Sequence, residues 1–289
     1  MRPGREGDLR PLRPGDGARL LGLGAREGRL YLRFPPETLE TLLSRGVGHA
    51  LLEGSRWRAA LLAYVPEGGA PWIAAAYVAS GTSPRANLER LLEALPGAIP
   101  EHAAERALYF LEDPYLHAWL EPYLKPLGFA AAEEVGTWIR SLGTEPPPPT
   151  PRGVRLRPYR AQDLPTLVAI DREAFEPRWR FGAWWLEREL RGVALVAEVE
   201  GEVVGFACGP VEEGWAHLTR IAVAPRAQGR GIGRALLARF LEETARRGVR
   251  EVTLNTQAGN RRAHRLYRAL GFQPLTERYR IWRRPLDQK

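Results

Sequence analysis

In the second half of the chain the apolar positions switch between two periods. Residues 195–199 and 203–208 are dense runs of small and β-branched apolar residues hinged at Glu200-Gly201-Glu202, which predicts a two-stranded hairpin. Residues 217–223 predict a further strand. Beyond it Ile232, Leu236 and Phe240, with Leu237 and Leu241 beside them, recur at helical spacing until Gly248 offers a left-handed end. Residues 249–256 return to a strand. Asn260 is placed to cap a last helix whose apolar stripe is Ala263, Leu266, Tyr267 and Leu270, closed by Gly271. In the first half a helix starts at Ser83-Pro84 and carries Leu88, Leu91, Leu92 and Leu95 on one face. Each half reads as mixed α and β.

Between the halves, Thr144-Glu145-Pro146-Pro147-Pro148-Pro149-Thr150-Pro151 can neither join a sheet nor continue a helix, and predicts a stiff polyproline spacer. The sequences flanking it share landmarks in the same order. Leu9-Arg10-Pro11 and Asp16 answer to Leu156-Arg157-Pro158 and Asp163; Leu127-Gly128-Phe129 answers to Leu270-Gly271-Phe272; Glu134 and Arg140 answer to Glu277 and Arg283. The preserved order predicts an internal duplication. The expected division is a domain over 1–145, a linker over 146–151 and a domain over 152–289.

A chain of 289 residues, 44% apolar, is long enough for two packed cores. Its start has no apolar segment fit for a signal peptide, and no run approaches the roughly 18 apolar residues of a membrane span, so a cytoplasmic protein without a membrane partner is expected. The sole cysteine, Cys208, excludes an intramolecular disulfide or a cysteine-based metal cluster, and no metal is expected. Its apolar strand marks it as a core residue rather than a nucleophile. Charge is uneven: residues 1–150 hold 16 basic and 18 acidic side chains, the rest 26 and 16. A basic half generally meets an anion, either nucleic acid or a phosphorylated cofactor. No zinc pattern or RNA-binding motif is present and the arginines scatter, which disfavours nucleic acid.

The anion has an obvious place. Between the strand ending at Val223 and the helix beginning near Ile232 lies Gln228-Gly229-Arg230-Gly231-Ile232-Gly233, flanked by Arg226 and Arg234. Unpaired amides at a helix start carry a partial positive charge and suit phosphate oxygens, and glycine lets the backbone approach them. A dinucleotide fingerprint would require glycine where Leu236 stands, and a Walker loop would require Gly-Lys-Ser/Thr; neither is met. The segment Ile221-Ala222-Val223-Ala224-Pro225, the glycine loop, and Asn260-x-x-Ala263-x-x-Leu266-Tyr267-x-x-Leu270-Gly271-Phe272 together resemble the GNAT N-acetyltransferase superfamily. The resemblance spans residues 152–285, including the hairpin 194–209.

That resemblance implies an α+β fold, mixed α/β: two GNAT-like domains, each a twisted, mostly antiparallel sheet with a splayed central strand pair flanked by helices. It implies acetyl-CoA as cofactor, its pantetheine arm lying along Ile221, Ala222 and Val223, its diphosphate on Gln228, Gly229, Arg230, Gly231, Ile232, Gly233 and Arg234, with Asn260, Arg262 and Arg265 touching it from the last helix. Tyr267 falls where the family places a general acid, the competing role being an apolar-stripe aromatic. His217 stands eleven residues before Gln228, where some relatives carry a base glutamate; a structural histidine is the alternative. Other relatives use a glutamate where this chain has Asn255, which leaves Asn255 as a substrate contact. Trp179, Trp184 and Trp185 lie where acceptor-binding helices are expected and either line an amine pocket or pack a helix.

In the first half the corresponding loop, Ala79-Ser80-Gly81-Thr82-Ser83-Pro84-Arg85-Ala86-Asn87-Leu88, lacks the glycines, and Leu124 replaces Tyr267. That copy is expected to be catalytically silent, as in tandem members of the family with one degenerate half. The acceptor is expected to be a small-molecule amine or a protein amine, the competing reading being a non-catalytic acyl-CoA sensor or partner-binding module.

Overall fold

The computed structural model describes residues 7–101, 103–113, 118–143 and 150–286. Most of the proline spacer, residues 144–149, lies outside the described residues. Two compact units are present, the first made of residues 1–132 and 279–289, the second of residues 133–278.

The first unit runs β1 (Asp8–Pro11), α1 (Gly17–Arg26), β2 (Gly28–Leu32), α2 (Leu39–Arg45), β3 (Gly46–Glu53), β4 (Arg56–Tyr64), β5 (Trp72–Ala79), α3 (Pro84–Ala94), β6 (Ala107–Glu112) and α4 (Glu121–Leu124). Strands β1, β3, β4 and β5 follow one another in antiparallel register, β2 pairs with β5, and β5 meets β6 in parallel at Trp72 and Tyr109. The far edge of β6 is closed by residues 280–285, with Arg280 opposite Glu112 and Pro285 opposite Ala107. Leu88, Leu91, Leu92 and Leu95 are all buried, so the helical stripe read from the sequence is the face that packs on the sheet.

The second unit begins with the last strand before the spacer, β7 (Ala130–Ser141), from Glu133 onward. It continues with β8 (Val154–Pro158), α5 (Leu164–Ala174), α6 (Ala183–Glu189), β9 (Val193–Val199), β10 (Glu202–Gly209), the short β11 (Val211–Glu212), β12 (Trp215–Leu218), β13 (Arg220–Val223), α7 (Ile232–Arg246), β14 (Glu251–Gln257), α8 (Arg261–Ala269) and β15 (Gln273–Pro285), the last leaving the unit after Arg278. One sheet has the order β13-β10-β9-β8, and within this unit a second ladder has the order β11-β12-β14-β7. The hairpin β9–β10 turns at Glu200 and Gly201, at φ 51° and 84°, the paired left-handed conformations that a tight right-twisted hairpin requires. The strand expected over 217–223 is two strands. It breaks at Thr219, the first piece pairing in parallel with β14 and the second antiparallel with β10.

Helix α7 buries Ile232, Leu236, Leu237, Phe240 and Leu241 against one face of these strands, and ends where Gly248 adopts φ 79° and the amide of Val249 reaches back to the Thr244 carbonyl at 3.2 Å. Helices α5 and α6 cover the other face around Phe206 and Cys208.

The duplication extends to individual hydrogen bonds. Arg10 holds Asp16 at 2.8 Å while Asp16 accepts from the Arg13 amide; Arg157 holds Asp163 through two bonds of 2.7 and 2.9 Å while Asp163 accepts from the Arg160 amide. Near the other end, the Leu270 carbonyl accepts from Arg140 at 2.5 Å and the Leu127 carbonyl from Arg284 at 3.0 Å. The structural counterpart of Arg140 is thus Arg284, one residue beyond the sequence match with Arg283. Among the described residues no helix is long and apolar enough to cross a membrane.

Candidate active site

Strand β13 is the hinge of the site. Its amides and carbonyls alternate in direction, and since the Ala224 amide donates to Val204 on β10, those of Ile221 and Val223 face the opposite side. That side carries no strand: β14 pairs with β12 only as far as Leu218 opposite Leu254, and with β7 on its other edge. A gap therefore opens at Thr219 between β13 and β14. One of the groups facing it is already used, the Val223 carbonyl accepting from the Gln228 side chain at 2.9 Å.

At the far end of β13 the chain turns into α7. Gly229 and Gly231 lie at φ 82° and 79°, where a side chain is strained, and a Cβ on Gly231 would stand 3.2 Å from the Pro151 ring. No side chain caps α7, and its first amide bonded within the helix is that of Ala235, to the Gly231 carbonyl at 3.1 Å. The amides of Ile232, Gly233 and Arg234 are thus left pointing outward at the positive end of a fifteen-residue helix. Arg230 and Arg234 are exposed beside them. In the first unit the corresponding α3 closes this place on itself: Ser83 accepts from the Ala86 amide, and Pro84 removes another donor.

From the other side, Asn260 caps α8 by accepting from the Ala263 amide at 3.0 Å. Arg262 donates to the Gln228 side-chain oxygen Oε1, tying the start of α8 to the loop, and Arg265 is exposed nearby on the same helix. Tyr267 is 6% exposed, packed between Trp138 and Phe272 at ring separations of 6.1 and 5.9 Å, and among the described residues its hydroxyl has no partner. Burial pushes that hydroxyl up to about 12, the charge of Arg220 opposing.

The face of the sheet turned toward α5 and α6 is polar at its centre. His217 Nδ1 lies 2.9 Å from Thr253 Oγ1, and Asn255 accepts from the Thr137 hydroxyl at 2.9 Å. Burial pushes His217 down to about 4, so the ring is neutral near pH 7. The segment from Phe175 to Trp185 is anchored on Arg220, Asp171 and Glu133. Arg220, 7% exposed, reaches from β13 to Asp171 at 2.5 Å and to the Trp179 carbonyl, with its guanidinium 3.5 and 4.0 Å from the Phe175 and Phe181 ring centres. Trp179 Nε1 donates to Glu133 of β7 at 3.2 Å. Trp184 and Trp185 are half-buried on α6, 5.5 Å apart, with Phe181 edge-on to Trp185. Cys208 is wholly buried and its thiol is pushed well up by burial, so it holds no thiolate.

The structure thus brings the glycine loop, β13 and α8 to one gap, with His217 and Asn255 on the adjoining strands β12 and β14, and Trp179 tied to β13 by Arg220 and to β7 by Glu133. Trp184 and Trp185 lie on the neighbouring helix. Three residues at the candidate site were not picked out by sequence reasoning: Thr219, Arg220 and Trp138. An arginine in the apolar run Leu218–Val223 was a readable signal; nothing in spacing alone could assign Trp138, which precedes the spacer.

The splayed strand, the glycine loop and the uncapped helix start stand together at one end of the second unit. The model of the acetyltransferase (GNAT) family matches residues 159–272. The [ribosomal protein bS18]-alanine N-acetyltransferase of Escherichia coli strain K12 is 34% identical over 40% of this chain and 78% of its own length. The mycothiol acetyltransferase of Thermobispora bispora is 32% identical over 50% of this chain and 55% of its own, so the chain matches about half the length of that relative. A tandem GNAT protein from the clavulanic acid biosynthesis pathway shares the fold at TM-score 0.62, 17% identity and 98% coverage of this chain and 100% of its own. The chain belongs to the GNAT acetyltransferase family.

Proposed function

We propose that the second unit transfers an acetyl group from acetyl-CoA to a primary amine. The observation that carries this reading is the uncapped start of α7 at the end of an edge that no strand covers. The unpartnered amides of Ile232, Gly233 and Arg234 fit a diphosphate, and the free backbone groups of Ile221 together with the Val223 amide fit the amides of a pantetheine arm added like a strand. Acetyl-CoA supplies an activated thioester at the end of that arm. Arg230, Arg234 and Arg265 add positive charge around the phosphates, while Arg262 and Asn260 fix the loop and helix that frame them.

Tyr267 holds its proton at working pH and delivers it to the departing sulfur; its lack of a protein partner keeps it available. His217, neutral and fixed by Thr253, offers a hydrogen bond to the incoming amine but holds a full proton poorly. Trp179 and Asn255 border the acceptor, with Trp184 and Trp185 stiffening the helix behind. Since one set of relatives is named for mycothiol and the other for an alanine of ribosomal protein bS18, the acceptor is a small-molecule amine or a protein amine. The first unit, lacking the loop glycines and carrying Leu124 for Tyr267, supplies no second site.

A screen of primary amines with acetyl-CoA, read by free-thiol release, tests the reading. Turnover with a member of either class supports it. Tight acetyl-CoA binding with no thiol release from any amine contradicts it and favours a binding module.

A further inference from the structure

One ionisable group near the gap is left without a role. Glu189 ends α6 and is 8% exposed, yet among the described residues no cation lies within ion-pair distance of it. Its Oε2 accepts from the Thr219 hydroxyl at 2.7 Å, and among the described residues Oε1 has no partner. Arg220 is spent on Asp171 and the Trp179 carbonyl, while Arg188, over the Trp185 ring at 5.4 Å, acts on the carboxylate through its charge without pairing with it; the remaining titratable groups near the cluster are the buried thiol of Cys208 and the neutral ring of His217. A buried carboxylate in this situation is costly, and such cost is typical of groups kept for chemistry.

Its position gives it a task. Thr219 is the residue at which β12 leaves β14 and the gap begins. An arm anchored at the start of α7 and running along β13 covers the four residue steps from Val223 back to Thr219, about 13 Å of strand. Its reactive end then lies at Thr219, beside the carboxylate. We infer that Glu189 is the proton acceptor for the amine, held at the fork by Thr219. This assignment rests on the acetyltransferase reading above.

The proton balance closes with the groups present. The alkylammonium gives one proton to Glu189; its nitrogen then forms the bond to the acetyl carbon while the carbon–sulfur bond breaks. The sulfur takes a proton from Tyr267, the second nitrogen proton restores the Tyr267 hydroxyl, and Glu189 releases its proton to solvent. One proton is lost per amide formed. Burial raises the Glu189 carboxyl above its ordinary range, with the Thr219 bond and the charge of Arg188 opposing, which brings it closer to the amine it must serve.

The test is the pH–rate profile of thiol release from acetyl-CoA for the full chain, with the amine panel above and with water as background acceptor. Glu189→Gln preserves the bond from Thr219 but cannot take a proton. It should lower the rate about 100-fold or more and remove the acid limb of the profile, with acetyl-CoA affinity within about threefold of native. Glu187→Gln, one turn face away and exposed, should leave both rate and limb unchanged. Melting temperature gives an independent check. A carboxyl raised by burial favours folding below its ordinary range and loses that contribution as pH rises through the folded value, so E189Q should melt higher than native at pH 8 and alike at pH 4. An E189Q chain that keeps the native rate and acid limb overturns the assignment alone. Absence of thiol release by the native chain overturns the acetyltransferase reading beneath it, and the assignment with it.

Discussion

Tyr267 is pinned at one end of the gap by rings on both sides, and its burial sets what it can do. With its hydroxyl pushed up to about 12, it remains an acid throughout the neutral and mildly alkaline range. We expect no alkaline limb from Tyr267 below pH 10, and Tyr267→Phe to lower kcat by about 10²- to 10⁴-fold with the Kd for acetyl-CoA unchanged; steady-state rates beside calorimetric titration would separate the two. His217 moves oppositely. Its ring, pushed down to about 4, carries charge only in acid, so a His217→Asn variant should keep its acid limb above pH 5 while losing some acceptor affinity. Sequence spacing located both side chains. It could not show that one is unpartnered and the other too buried to hold a proton, because those properties arise from packing of Trp138, Thr253 and Phe272 around them.

At the scale of elements, two contacts seat α8 and thereby Tyr267. Trp138, 3% exposed, lies 5.0 Å from the His264 ring and 6.1 Å from Tyr267, and Arg140 binds the carbonyl at the end of the helix. Trp138→Ala should cost about 3–5 kcal/mol, seen as a lower denaturation midpoint, and should lower kcat more than it raises the KM for acetyl-CoA. The buried pair Arg157–Asp163 fixes β8 to the start of α5. Arg157 holds the Asp163 carboxyl below its ordinary range. A depressed carboxyl stabilises the fold above its unfolded value and loses that contribution as pH falls through the folded one. Asp163→Ala should therefore cost about 3 kcal/mol at pH 7, a cost that shrinks as pH falls through the folded value, as urea titrations over a descending pH series would show. The helices were legible in the sequence because their stripes are long and capped by Asn260, Ser83 and Gly248. The break at Thr219 was not, since burial alternates without interruption through residues 217–223 while their pairing partners change.

For the whole molecule, the repeat accounts for most of the architecture, down to the Arg–Asp pairs at offset 147. What repetition does not convey is where each unit ends. Residues 133–141 precede the spacer and close the β14 edge of the second unit, while residues 280–285 close β6 of the first. Pairing between strands distant in sequence leaves no periodic mark, so a boundary at the prolines was the natural expectation from sequence. A chain starting at Arg152 lacks Trp138, Arg140 and the partner of β14, and should be largely insoluble or fail to bind acetyl-CoA, whereas a chain that keeps residues 133–141 at the same edge should not.

The central claim is that one acetyl-CoA binds per chain, on the start of α7. Isothermal titration of the full chain with acetyl-CoA, native and with Gly229→Val and Gly231→Val combined, addresses it most directly. The two glycines stand at positive φ, where valine is strained and closes the approach to the amides. We expect one site per chain in the native protein and at least a hundredfold weaker binding in the variant, with the fold retained by circular dichroism. Two equivalent sites, or undiminished binding in the variant, would contradict the account.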